Sequence, residues 1–164
     1  MEPNGAGERD RDGDGRPRSA RPRDELGRPL PRDAAGIQPT PDDLTLSPDE
    51  SLAEAQRLLD AGRAFHAHEV LESTWKAAPE SERELWRGLA QLAVGLTHAQ
   101  RGNAVGAVQL LGRASERIDG YVVDPPHGVA AAELVAWARP LVVRIETDGL
   151  DALTHPELTP RLRS

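Results

Sequence analysis

Between residues 47 and 146 the apolar positions recur every three to four residues, the period of a helix with one buried face. Ser47-Pro48-Asp49-Glu50 opens the first segment as a capping box, with a hydroxyl N-cap, proline at the first helical position and glutamate at the third. Leu52, Ala55, Leu58 and Leu59 then form an apolar face, and Gly62 stops the helix. A second helix is predicted from Ala64 to Ala78, ended by Pro79. A third runs from about Ser81 to Arg101, apolar around most of its circumference, and is expected at the centre of a bundle. Asn103 is a plausible N-cap for a fourth, Ala104 to Asp119, ended by Gly120. A fifth is predicted over Val129 to Glu146, kinked or broken near Ala138 by Pro140. No strand pattern is present, so the expected fold is all-α, a compact bundle of about five helices.

Two regularities refine this. Gly88, Gly95 and Gly102 recur every seven residues in and after the third helix. Glycine inside a helix costs about 0.5–1 kcal/mol relative to alanine, so Gly88 and Gly95 predict a groove where a neighbouring helix comes close. Leu58-x3-Gly62-x4-Ala67-x2-Val70-Leu71 also aligns with His98-x3-Gly102-x4-Ala107-x2-Leu110-Leu111, at an offset of 40. Helix–glycine–helix hairpins of this kind resemble tetratricopeptide units, whose period is nearer 34.

The second helix carries the most informative stretch, Phe65 to Trp75. At 100° per residue Phe65, His68, Leu71, Glu72 and Trp75 share one face, which is expected to be buried. An ionisable pair within an apolar stripe is costly unless paired. The aligned positions of the second hairpin are Val108 and Gly112, so a hairpin of this type forms without the pair. His68 and Glu72, at i and i+4, can share a divalent cation, or the carboxylate can orient the imidazole. A metal centre needs at least three protein ligands. Glu69, Gln91 and His98 are the candidates for the rest. His66 points roughly 160° away from the stripe and is a poorer candidate. The competing reading is a buried His–Glu hydrogen bond that fixes helix two on helix three.

The ends differ from the middle. Residues 1–46 are rich in Gly, Pro, Arg and Asp, and are expected to form a disordered or extended arm. Residues 47–146 are the helical domain, and 147–164 an irregular tail. The chain of 164 residues has a formal charge of −7, and residues 47–146 carry 10 basic against 14 acidic side chains. That balance does not build the positive surface a phosphate backbone needs, so no nucleic acid is expected. The absence of cysteine excludes disulfides and thiolate chemistry. There is no apolar run of membrane-spanning length, no secretory h-region, no phosphate-binding loop and no nucleophile elbow. A cytoplasmic protein is expected.

The pattern Gly62-x2-Phe65-x-Ala67-His68-Glu69-Val70-Leu71-Glu72-x2-Trp75 resembles the hallmark of the domain-of-unknown-function family 309. Gly88-Leu89-x-Gln91-Leu92-Ala93-Val94, then His98, Arg101-Gly102-Asn103 and Gly106-Ala107, is also similar to that family. The resemblance covers about residues 50–120. It implies a small helical protein with no assigned activity and a motif suggested to bind metal, with His68 and Glu72 at the matching positions and Glu69 adjacent. Two positions depart from the pattern: His66 stands where an acid is more usual, and Arg87 where a glutamine is common. The leading expectation is a divalent-metal or small-ligand site between helices two and three, which could serve a metal-dependent hydrolase. The alternatives are a tetratricopeptide-like interaction module for a protein partner or homo-oligomer, with a structural His–Glu pair, and a protein whose N-terminal arm docks elsewhere while the bundle is only a scaffold.

Overall fold

The computed structural model describes residues 46–164. Five helices follow one another: α1 (Pro48–Asp60), α2 (Ala64–Ala77), α3 (Glu80–Gln100), α4 (Ala104–Asp119) and α5 (Ala131–Asp148). Short 3-10 turns lie at Pro126–Gly128 and Pro156–Leu158. Among the described residues the only extended pairing is one isolated antiparallel bridge, Val129 with Arg163. The protein is an all-α bundle. No helix among the described residues is long and apolar enough to cross a membrane. The expected N-terminal arm lies outside the described residues, apart from Leu46.

Local signals set the helix ends. Ser47 Oγ accepts from the Glu50 amide at 3.1 Å and donates to the Glu50 carboxylate at 3.1 Å. Asn103 Oδ1 caps α4 by accepting from the Gly106 amide at 3.0 Å. The two turns predicted as equivalent are built alike. After α1, the Gly62 and Arg63 amides bond back to Leu59 and Leu58 at 3.0 and 2.8 Å, with Gly62 at φ 75°. After α3, the Gly102 and Asn103 amides bond to Ala99 and His98 at 3.1 and 2.8 Å, with Gly102 at φ 77°. Both are Schellman turns, whose positive φ favours glycine. The repeat seen at an offset of 40 is therefore a repeat of structure.

The helices pack in chain order, α1 on α2, α2 on α3, α3 on α4 and α4 on α5. Trp86, Leu85, Leu89, Leu92 and Leu96 of α3 are fully or almost fully buried, which confirms its central place. The glycine groove on α3 receives α4. A Cβ at Gly95 would stand 2.9 Å from Leu111 Cγ, and one at Gly88 3.0 Å from Ile118 Cγ1.

α5 departs from expectation. It is one uninterrupted helix through Pro140. Proline here frees the carbonyl of Ala136, and both residues lie on the exposed side, where water can bond that oxygen. After Asp148 the chain turns back, and Leu162 inserts, fully buried, against the bundle.

Candidate functional site

α2 is covered on two sides, by α1 and α3, so its buried residues span more than one narrow stripe. They are Ala64, His66, Ala67, Val70 and Leu71. This corrects the expected orientation. Phe65, His68, Glu72 and Trp75 are all half-buried, at the edge of the core, whereas His66 is only 2 % exposed. The expected stripe assumed one covered face. With two neighbouring helices, the face bearing His66 is also taken inside.

His68 and Glu72 do meet. His68 Nε2 donates to Glu72 Oε2 at 3.2 Å, with the two side chains 22 % and 35 % exposed. Lys76 Nζ lies 3.5 Å from the other carboxylate oxygen, one further turn along α2. The His68 hydrogen bond, with the charges of His68 and Lys76 behind it, outweighs partial burial and lowers the Glu72 carboxyl from an ordinary 4.5 to about 2. The far ring nitrogen, His68 Nδ1, is buried and has no hydrogen-bond partner.

The remaining candidates are drawn elsewhere. Glu69 Oε1 accepts from Nδ1 of the buried His66 at 3.2 Å. Gln91 Oε1 accepts from Arg117 Nε of α4 at 2.9 Å, and the same guanidinium pairs with Glu84. Asn103 Nδ2 donates to His98 Nδ1 at 3.1 Å, at the α3–α4 turn. The ring of His98 sits against Gly106, where a Cβ would come within 2.8 Å. Among the described residues no group of three or more His, Cys, Asp or Glu side chains is arranged to hold a metal ion. The described residues thus bring together a pair of donors, not the closed set of a structural zinc or iron centre.

Aromatic rings and cations flank the pair. The Phe65 ring lies 5.9 Å from that of His68. The Arg101 guanidinium lies 5.7 Å from the Phe65 ring centre, and Arg87 lies 5.7 Å from that of Trp75. Along α2 and α3 the face therefore alternates cation–aromatic, imidazole–carboxylate, and cation–aromatic again. The sequence marks Arg87 as a departure from the family pattern and Arg101 as part of its second block, but places neither beside the aromatic rings, and it does not single out Lys76. The i, i+4 spacing of Glu72 and Lys76 is a usable signal, whereas no spacing rule links Arg87 of α3 or Arg101 at its C-terminal end to rings on α2.

The match to a known family falls on this part of the chain. Residues 52–110, which run from within α1 through α2 and α3 into α4, match a family model described as Domain of unknown function (DUF309). Among curated proteins the chain is similar to the "Uncharacterized protein YpuF" of Bacillus subtilis (strain 168), 46% identical over 48 residues. That stretch is 29% of this chain and only 28% of the relative's length. No solved structure matches.

Proposed function

On the premise that residues 52–110 form a DUF309 domain, we propose that this protein is a helical-hairpin binding module whose recognition surface is the half-buried face of α2 and α3. One observation carries this reading. Phe65, His68, Glu72 and Trp75 stay half-open although α2 packs against both α1 and α3. Aromatic rings with a polar centre, left partly in water, have the composition of an interface core rather than of a solvated face. The ion pair gives such a face orientation and selectivity more than raw affinity. A photo-crosslinking residue at Trp75 tests it. One discrete adduct is expected in cells, lost in the His68→Ala/Glu72→Ala double variant and not formed from the exposed Glu116 of α4. Equal adducts from both positions, or none, reject the reading.

A second reading rests on the donor atoms. His68 Nε2 and Glu72 Oε2, 3.2 Å apart and half-exposed, are a suitable pair to chelate a divalent cation. A cation held there would take its other ligands from water or from the bound partner. Elemental analysis of protein dialysed without chelator decides it. Near-stoichiometric metal, lost in both His68→Ala and Glu72→Ala, establishes a metal site. No metal after soaking with zinc, iron or manganese leaves the recognition face alone.

A further inference from the structure

A second surface is formed where the C-terminal segment meets α1 and the start of α5. The helices pack in chain order, and the C-terminal segment bonds both to Gln56 of α1 and to Ala130 at the start of α5. This segment is held as a bound peptide is held. The Gln56 side chain reads its main chain: Nε2 donates to the Pro160 carbonyl at 3.0 Å, and Oε1 accepts from the Leu162 amide at 2.9 Å. On the other side the Ala130 amide donates to the Leu162 carbonyl at 2.8 Å, and the Ser164 amide to the Gly128 carbonyl at 3.2 Å. Leu162 is fully buried, and Pro160 is buried as well. The two flanking arginines face acids of α1, Arg161 with Asp60 at 3.8 Å and Arg163 with Asp49 at 3.6 Å.

Main-chain pairing, an apolar anchor and complementary charges at either end are the elements by which grooves recognise short extended peptides. The fit is also incomplete. A cleft of about 400 Å³ opens on the α5 side, lined by Trp137, Pro140, Pro156 and Arg161 among others. Another of about 390 Å³ opens on the α1 side, beside Leu52, Arg57 and Arg163. The segment is tethered to α5 through Gly149, at φ 78°, and a loop with one short 3-10 turn, so leaving the groove requires no helix to unwind.

We propose that the α1–α5 groove is a docking site for an extended partner peptide carrying a leucine between basic residues, and that residues 160–163 occupy it as an intramolecular competitor. The groove meets the segment through its main chain, the buried Pro160 and Leu162 and the two arginines, so a peptide of that pattern from another protein meets the same groups. The tethered copy is present at an effective concentration of about a millimolar, which masks the groove until a partner of higher affinity arrives.

The test uses the full chain and a fluorescent peptide of residues 158–164, followed by anisotropy. Leu162→Asp places a charge where the anchor is buried and expels the tethered segment. This variant is expected to bind the peptide at least about tenfold more tightly than the wild type, because the competitor is gone. Adding Gln56→Ala is expected to abolish the gain, and so is the same Leu→Asp change in the peptide. A folded Leu162→Asp variant that ignores the peptide overturns the proposal. So does a wild-type dimer that becomes a monomer in Leu162→Asp, which would assign the groove to the tail of a second copy. Should the variant not fold, hydrogen exchange on the wild type decides. Leu162 and Ala130 amides exchanging about 100-fold faster than those of Leu89 and Leu92 support a segment that leaves on its own. Exchange at the rate of global unfolding overturns it.

Discussion

Glu72 holds its charge to unusually low pH, and the cause lies within one helix. His68 and Lys76, one turn before and one turn after it, each reach a different oxygen of its carboxylate. The His68 hydrogen bond is the larger influence, so the Glu72 carboxyl is expected to titrate near 2 by carbon NMR, and to move back towards 4.5 in His68→Ala. The sign for stability follows. A carboxyl lowered by folding stabilises the protein above its unfolded value and loses that contribution as pH falls from about 4.5 to 2. Solvent screening keeps the amount small, because Glu72 is 35 % exposed. The pair itself was legible from its spacing, since i, i+4 contacts depend only on helix geometry. Which histidine lies inside was not legible. His66 and His68 differ by which neighbour covers them, and that depends on how α1 and α3 sit around α2.

The two hairpins show how far short-range chemistry determines an element. Ser47, Gly62, Asn103 and Gly102 each act on backbone groups within five residues, so the sequence predicts their roles directly. Gly88 and Gly95 were legible for another reason: unfavourable glycine inside a helix implies a compensating close approach. Gly95→Ala tests this. The added methyl stands 2.9 Å from Leu111 Cγ and 3.1 Å from the Leu111 amide nitrogen, so α4 must move. The strain of about 1–3 kcal/mol exceeds the gain in helix propensity, and the melting temperature is expected to fall. A rise would mean that α3 and α4 can separate without cost. Pro140 shows what element-scale reading leaves open, since α5 is not broken there. Its disruption depends on whether the freed carbonyl faces protein or water, and the residue type does not reveal that.

Across the whole molecule, contacts between distant segments carried the least signal. Gln56 meets Leu162 across more than a hundred residues, and no spacing rule connects them. The tail was read as irregular, yet it bonds both to the first helix and to the start of the last. The two surfaces thereby differ: the face of α2 and α3 is open, while the α1–α5 groove is filled by the chain itself. Under the proposed recognition role, His68 and Glu72 do not hold the bundle together. Denaturant unfolding of single variants tests it most directly. Glu72→Gln and His68→Ala are each expected to cost less than about 1 kcal/mol, as for half-exposed helix pairs. Leu71→Ala, fully buried on the same helix, should cost about 2–5 kcal/mol. If Glu72→Gln destabilises the protein as much as Leu71→Ala does, the pair holds the fold and the recognition face loses its centre.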